Sequence, residues 1–167
     1  MSMPQATPGP GPSGEPTTDE RTNAMLAHVL SIFGGFIGPL VIYFVKGKDS
    51  RFVDFHSLQA IFWHLACMVG MVGGAFVGFG AVVGFTAAHA PPAPLPAPAP
   101  HAHAPPPPGF FFAFFGLWAL MMLGWVLNAG YVVYLAIKAN PGQWCRYPVV
   151  GGIVTRAGGY SEAEKRP

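Results

Sequence analysis

The sequence predicts an all-α integral membrane protein with three transmembrane helices, a disordered N-terminal tail and a Pro/Ala-rich loop between helices two and three. Only 10% of its 167 residues are charged and 51% are hydrophobic, whereas a soluble domain carries about 25% charged residues. No Asp, Glu, Lys or Arg occurs between Asp54 and Lys138. Because a soluble fold needs charges throughout its surface, lipid is expected to surround much of this stretch.

The N-terminal residues 1–16 are mostly Pro, Gly, Ser and Thr. Such a segment cannot bury enough apolar surface to become ordered, so we expect a disordered tail. It has no basic region of the kind that opens a signal peptide, and we expect no cleaved leader. Thr17 and Glu20 fit a capping box, in which each side chain binds a free backbone N–H group at a helix start. This pattern predicts a helix that begins near Thr18.

The first predicted span runs from Ala24 to Val45 without a charged residue. At about 1.5 Å per residue it would measure about 33 Å, enough to cross a hydrocarbon core of about 30 Å. Gly34 and Gly38 form a Gly-x-x-x-Gly pair and Pro39 follows it. This arrangement favours the close approach of a neighbouring helix and a local kink.

The second apolar run, from Phe55 to Ala88, would measure about 51 Å as a helix. The run is slightly too short to contain two transmembrane helices and the turn between them. We therefore predict one long helix whose amphipathic start, 52–59, lies at the interface, with a re-entrant hairpin as the alternative. Small residues at every fourth position predict a smooth face on which another backbone can pack, and they are Ala66, Gly70, Gly74 and Gly78.

Residues 90–108 alternate Ala and Pro and contain two histidines, a composition that favours polyproline II. Backbone without internal hydrogen bonds is not tolerated in lipid, so this loop is expected outside the bilayer. The third predicted span, 110–137, opens with an aromatic run, and Asn128 is its one strongly polar residue. Together these segments predict a transmembrane domain over 17–149 and a cytoplasmic tail over 150–167.

Orientation follows from the distribution of basic residues. Three spans would place the loop between the first two on the same side as the C-terminus, and these segments carry Lys46, Lys48, Arg51, Lys138, Arg146 and Arg156. Only Arg21 lies near a span on the other side. The positive-inside rule predicts a multi-pass protein of the inner (plasma) membrane, with the N-terminus and proline loop outside and the C-terminus in the cytoplasm.

Several function classes are disfavoured by composition and motifs. The net charge of +2 and the absence of a Lys/Arg cluster argue against a nucleic acid partner. The spans contain no carboxylate for acid–base catalysis, and the chain lacks Gly-x-Ser-x-Gly, phosphate-loop and His-Glu-x-x-His motifs. Cys67 and Cys145 suggest neither a disulfide framework nor a four-ligand zinc site. We therefore expect no enzymatic activity and no cofactor.

The six histidines raise the question of a metal site, because imidazole is the commonest transition-metal ligand. Three of them lie in or beside the proline loop, which favours a spacer: His89, His101 and His103. His28 is expected near the outer end of the first span, and His56 and His64 towards the cytoplasmic half of the second. An ionisable group at membrane depth indicates a functional site. The alternative is a neutral histidine that hydrogen-bonds across a helix interface, and no metal site is predicted.

Several segments, in this order between apolar runs, resemble a known family. They are Met25-Leu26-Ala27-His28, Gly38-Pro39-Leu40, Phe52-Val53-Asp54-Phe55-His56-Ser57-Leu58-Gln59-Ala60, Ala136-Ile137-Lys138-Ala139-Asn140 and Arg146-Tyr147-Pro148. Over about 22–149 the chain is similar to small bacterial membrane proteins of unknown function that are distantly similar to the Tic-twenty import component of chloroplasts. The resemblance implies a topology and the location of a motif.

The family-like motifs are expected to meet at the cytoplasmic face, where they form a candidate site of Asp54, His56, Gln59, Asn140, Arg146 and Tyr147. Arg146 has a planar guanidinium that suits a carboxylate, so we predict an ion pair with Asp54. His56, Gln59 and Tyr147 would surround it. The alternative is that Asp54 caps the second helix while Arg146 contacts lipid phosphate.

The function that these observations favour is a non-enzymatic component that packs its helices in a homo-oligomer or a larger membrane complex. The residues expected at the packing faces are Gly34, Gly38, Gly70, Gly74 and Gly78. The alternative is an oligomeric transporter, channel or protein-translocation component, since three spans make a poor pore alone.

Overall fold

A computed structural model describes residues 15–89 and 108–160, which contain helices and no strand. The predicted all-α class is therefore confirmed. The helices are α1 (Thr18–Gly34), α2 (Ile37–Lys46), α3 (Arg51–Ala88), α4 (Pro108–Ala139) and α5 (Val150–Ala157), with a 3-10 turn, Gly47–Asp49, between α2 and α3. The predicted disordered tail and Pro/Ala-rich loop lie outside the described residues except at their edges.

The start of α1 is set by the capping box that the sequence predicts. The Thr17 hydroxyl accepts a hydrogen bond from the Glu20 N–H at 3.3 Å, and the Glu20 carboxylate accepts one from the Thr17 N–H at 2.6 Å. These contacts satisfy two N–H groups that lack partners within the helix. The predicted capping box is confirmed.

The first predicted span is wrong, because the chain does not continue straight through it. It turns at Gly35, whose φ of 56° lies in the left-handed region that favours glycine, and α2 then packs against α1. A Cβ atom on Gly38 would lie 2.6 Å from the Leu30 Cβ atom, so only glycine permits this approach. With 10 residues, α2 is about 15 Å long, too short to cross a bilayer.

Among the described residues, two helices rather than three are long and apolar enough to cross a membrane. They are α3 and residues 109–139 of α4, and the most apolar window of each contains no buried residue. The second apolar run forms one continuous helix of 38 residues rather than a re-entrant hairpin. The exposed apolar side chains of these two helices are expected to contact lipid, because their exposure to water would be costly.

The described chain divides into two compact units. Unit 1 contains the residues up to Cys67 and those from Asn128 onwards, and unit 2 contains residues 68–127. In unit 2, α3 and α4 contact each other at Gly78, where a Cβ atom would lie 2.8 Å from the Leu117 side chain. In unit 1, α1, α5, the start of α3 and the end of α4 contribute to three buried apolar clusters.

The start of α1 lies beside the basic segments of unit 1. The Glu20 side chain interacts with Ser50, which follows α2, and a small cavity is lined by residues from both segments. A Cβ atom on Gly142 would lie 3.1 Å from the Arg21 Nε atom. Arg21 therefore lies at the same end of unit 1 as the α2–α3 connection, whereas the three-span topology placed them on opposite sides.

We expect reporters fused to the N-terminus and after Pro167 to report the same compartment, and a reporter inserted after Pro100 to report the other. The reason is that, of the helices described in the structure, only α3 and α4 are long and apolar enough to span the bilayer. Paired alkaline phosphatase and fluorescent-protein fusions at the three positions would measure this. Opposite compartments for the two terminal fusions would show that the α1–α2 hairpin crosses the membrane.

Candidate functional site

A cluster of buried polar side chains occupies the centre of unit 1. His28, His56 and Gln59 are completely buried, and the Tyr147 side chain is 2% exposed. α1 supplies His28, and α3 supplies His56 and Gln59, which lie three residues apart and therefore on one helix face. The segment after α4 supplies Cys145 and Tyr147. Groups buried this deeply require partners within the protein, because each unsatisfied polar atom is costly.

A chain of hydrogen bonds connects three of these side chains. His28 Nδ1 lies 3.1 Å from the Tyr147 hydroxyl, and His28 Nε2 lies 3.0 Å from His56 Nδ1. One arrangement of protons satisfies both contacts with neutral rings. Tyr147 donates to His28 Nδ1, and His28 donates from Nε2 to His56 Nδ1. His56 then carries its proton on Nε2, a buried atom that has no hydrogen-bond partner among the described residues. The His56 ring also interacts with the Gln143 backbone.

Gln59 holds the segment after α4 against α3. Its Nε2 atom donates to the Cys145 carbonyl at 3.2 Å, and its Oε1 atom accepts from the Tyr147 N–H at 3.0 Å. The Trp63 ring, one helical turn further along α3, stacks on Tyr147 with ring centres 4.9 Å apart, and its Nε1 atom donates to the Asn128 side chain at 2.7 Å. Asn128, the one strongly polar residue of the third predicted span, therefore joins α3 to α4.

Cys145 completes the cluster. Its Sγ atom lies 3.9 Å from His56 Nδ1, and its thiol donates to the Leu135 carbonyl at 3.4 Å. Burial raises the pKa of the Cys145 thiol to about 12 and also raises the pKa of Tyr147, so both groups are protonated at neutral pH. The nearest ligand atoms of His28, His56 and Cys145 all lie within 4.8 Å of one another, so these three side chains could hold a metal ion.

The chain makes a strained turn where it leaves the cluster. Val149 has a φ of 63°, which β-branched residues rarely adopt, and the Val150 N–H donates to the Pro148 carbonyl at 2.6 Å. This is a γ-turn, and strain of this kind costs about 1–3 kcal/mol. The turn directs α5 back onto α3, where Gly151 approaches Gln59 closely.

The structure brings together only part of the predicted site. His56, Gln59 and Tyr147 meet in the buried cluster, but Asn140 is exposed at the end of α4. Asp54 lies outside the cluster and accepts a hydrogen bond from the Tyr160 hydroxyl at 2.6 Å. The ion pair predicted between Asp54 and Arg146, both of which are described, does not form.

Arg146 instead lines a separate cavity in unit 1. Its Nε and Nη2 atoms are buried without a hydrogen-bond partner. The cavity measures about 320 Å³, and no carboxylate is among the residues that line it: Tyr131, Tyr134, Leu135, Lys138, Gln143, Cys145 and Arg146. The contact of Arg146 with lipid phosphate remains a prediction.

The candidate site predicted from the sequence did not include His28 or Cys145. The predicted topology placed His28 and His56 in opposite halves of the membrane, and this placement is wrong because the turn at Gly35 folds the hairpin back. The Gly34-Gly35 pair was the available signal, since adjacent glycines mark turns as well as kinks.

The glycines predicted to mediate packing also divide into two groups. Gly38 and Gly78 contact other helices of this chain closely. A Cβ atom at Gly34, Gly70 or Gly74 would have no described neighbour within 4 Å. These three positions therefore leave open space on the helices.

These features define a small α-helical membrane protein whose described residues contain two helices able to span a membrane and, in unit 1, a buried polar cluster. Residues 19–154 match the family model MamF_MmsF, described as the magnetosome magnetite crystal formation protein family. The chain belongs to this family, which makes it a multi-pass protein of a bacterial magnetosome membrane family. No curated protein and no solved structure matches it. Similarity to the Tic-twenty component is not shown by these comparisons.

We expect Gly151→Ala to destabilise the protein and Gly152→Ala to leave it unchanged or slightly more stable. A Cβ atom on Gly151 would lie 2.6 Å from Gln59 Oε1 and 2.7 Å from Arg146 Cβ, whereas one on Gly152 would have no described neighbour within 4 Å. The expected loss is about 1–3 kcal/mol, and the expected gain is up to about 1 kcal/mol. Thermal unfolding in detergent measures both, and equal midpoints would argue against close packing of α5.

Proposed function

We propose that this chain is a non-enzymatic protein of the magnetosome membrane that takes part in magnetite crystal formation. The observation that carries this proposal is the family match over residues 19–154, which include all of α1 except its first residue, α2 to α4 entirely and most of α5. The match therefore includes both membrane-spanning helices and all the side chains of the buried polar cluster.

The chemistry of the buried cluster supports a non-enzymatic role. A catalytic cysteine needs a thiolate, and burial keeps Cys145 protonated by raising the pKa of its thiol to about 12. The polar groups of Gln59, Tyr147 and His28 bind one another or nearby backbone rather than facing an open cleft. The arrangement suits a polar core that joins α1, α3 and the segment after α4.

The surface of unit 2 supports association with a second copy or with other membrane proteins. Side chains such as Phe76 and Val77 are 77% and 75% exposed, and Gly70 and Gly74 have open space where a Cβ atom would project. Helices associate in lipid through small residues that allow close backbone contact, because apolar surface alone gives little preference over lipid. Homo-oligomerisation through this face of α3 is part of the proposal.

To test the association, Gly74→Leu is compared with Val77→Leu. We expect the first change to reduce the crosslinked dimer in membranes severalfold, because it adds bulk to the open face, and the second to have little effect. Val77 already carries a large exposed side chain, so it serves as the matched control. Crosslinking of the Gly74→Leu protein at the wild-type level would exclude this face as the contact.

To test the function, the gene would be deleted in a magnetite-forming bacterium and restored as wild type, Phe76→Leu or Phe76→Arg. We expect the deletion to alter crystal size or number in electron micrographs, and the wild-type and Phe76→Leu proteins to restore them. Phe76→Arg should fail, because it places a charge in the middle of α3, where the cost is about 2.5 kcal/mol or more.

Membrane fractionation separates the possible outcomes of this experiment. Wild-type protein should appear with the magnetosome membrane, and the Phe76→Arg protein should be reduced there. Normal crystals in the deletion strain, or wild-type protein confined to other membranes, would contradict the proposed function. Ion flux through liposomes that contain only the purified chain would favour a transporter instead.

A further inference from the structure

We propose that His28, His56 and Cys145 form a binding site for a divalent first-row transition metal ion. Two imidazole nitrogens and one sulfur converge from α1, α3 and the segment after α4, three parts of the chain that are distant in sequence. Both histidines are completely buried. This site is independent of the proposed role in crystal formation, since it rests only on the positions and chemistry of the three side chains.

The distances between the ligand atoms fit a metal ion after small movements. His28 Nε2 and His56 Nδ1 are 3.0 Å apart, and Cys145 Sγ is 3.9 Å from His56 Nδ1. In a tetrahedral site with bonds of about 2.0–2.1 Å to nitrogen and 2.3 Å to sulfur, these separations would be about 3.3–3.6 Å. These two pairs therefore shift by a few tenths of an ångström. The third pair, His28 and Cys145, lies within 4.8 Å and shifts by up to about 1.3 Å, which side-chain rotations supply.

In each histidine, the nitrogen that does not bind the metal would carry the ring proton. His28 would coordinate through Nε2 and carry its proton on Nδ1, where the Tyr147 hydroxyl turns from donor to acceptor at 3.1 Å. His56 would coordinate through Nδ1 and keep its proton on Nε2, while its ring interacts with the Gln143 backbone. Outer partners of this kind orient metal-binding histidines in proteins.

Binding also balances in charge and protons. The Cys145 thiol loses its proton to solvent when sulfur bonds to the ion, and the neutral imidazoles contribute no charge, so the site carries one net positive charge. No oxidation or reduction is involved. Cys145 also lines the cavity of about 320 Å³, which offers a path for the ion and space for a water or an anion as fourth ligand.

The ligand set indicates the class of ion. Thiolate and imidazole together suit Zn²⁺, Co²⁺ or Fe²⁺, whereas Mg²⁺ and Ca²⁺ prefer oxygen ligands. Co²⁺ is the most informative probe, because a sulfur ligand gives a charge-transfer band in the near ultraviolet and a tetrahedral site gives strong visible bands. We expect the full-length protein, purified in detergent and treated with a chelator, to bind one equivalent of Co²⁺ with both features. An excess of Zn²⁺ should remove them, and an excess of Mg²⁺ should not.

Matched variants assign the ligands. Cys145→Ser should abolish the sulfur-to-cobalt band, while Cys67→Ser should retain it, because Cys67 lies outside the three-residue group. His56→Gln should weaken Co²⁺ binding by at least about tenfold, and His64→Gln should not. His64 lies on the same helix, but its Nδ1 atom hydrogen-bonds to the Ala60 carbonyl. Circular dichroism of each variant verifies that its helices are intact.

A second measurement on the unaltered protein covers the case in which a variant fails to fold. Zn²⁺ should slow the alkylation of Cys145 and leave that of Cys67 unchanged, as measured by mass spectrometry of the two peptides. Absence of the charge-transfer band in the wild type, its loss in Cys67→Ser, or equal alkylation of Cys145 with and without Zn²⁺ would each overturn the proposal.

Discussion

The contact of His28 with His56 and Tyr147 is the interaction on which unit 1 depends, because it joins three segments that are far apart in sequence. Lipid offers no hydrogen bonds, so polar groups buried in a membrane protein must be satisfied by the chain itself. Here α1 supplies a side chain that bridges α3 to the segment after α4. Gln59 strengthens the same junction by binding the backbone on both sides of Arg146.

This junction also explains why particular glycines are needed. Gly35 adopts a positive φ at the turn, and Gly38 lets α2 lie against α1, so that the hairpin returns beside the α3 start. Gly151 allows α5 to cover Gln59. Gly70 and Gly74 differ, since nothing in the described chain approaches them. Glycine therefore serves internal packing in unit 1, whereas on α3 in unit 2 these two positions leave open space that a neighbouring helix can fill.

Membership of the magnetosome magnetite crystal formation family gives the polar cluster a biological setting without assigning a chemical role to it. The same atoms are compatible with two states. With protons, His28, His56 and Tyr147 form a hydrogen-bond chain, and Cys145 donates to Leu135. With a metal ion, the two rings and the thiolate would become ligands while their outer partners remain. Both states keep the three segments together, so a metal ion would reinforce the existing junction.

The sequence by itself determined the membrane class, the cap at Thr17 and two of the three predicted spans, because these depend on local composition and spacing. It also identified three members of the buried cluster, His56, Gln59 and Tyr147. Only the tertiary structure showed that the first apolar run folds back at Gly35 and that His28 meets His56. The length of an apolar segment indicates whether it could cross a bilayer. A turn at one residue with a positive φ reverses the chain within such a segment. Contacts between residues 28 positions or more apart depend on that reversal and on how the whole chain packs.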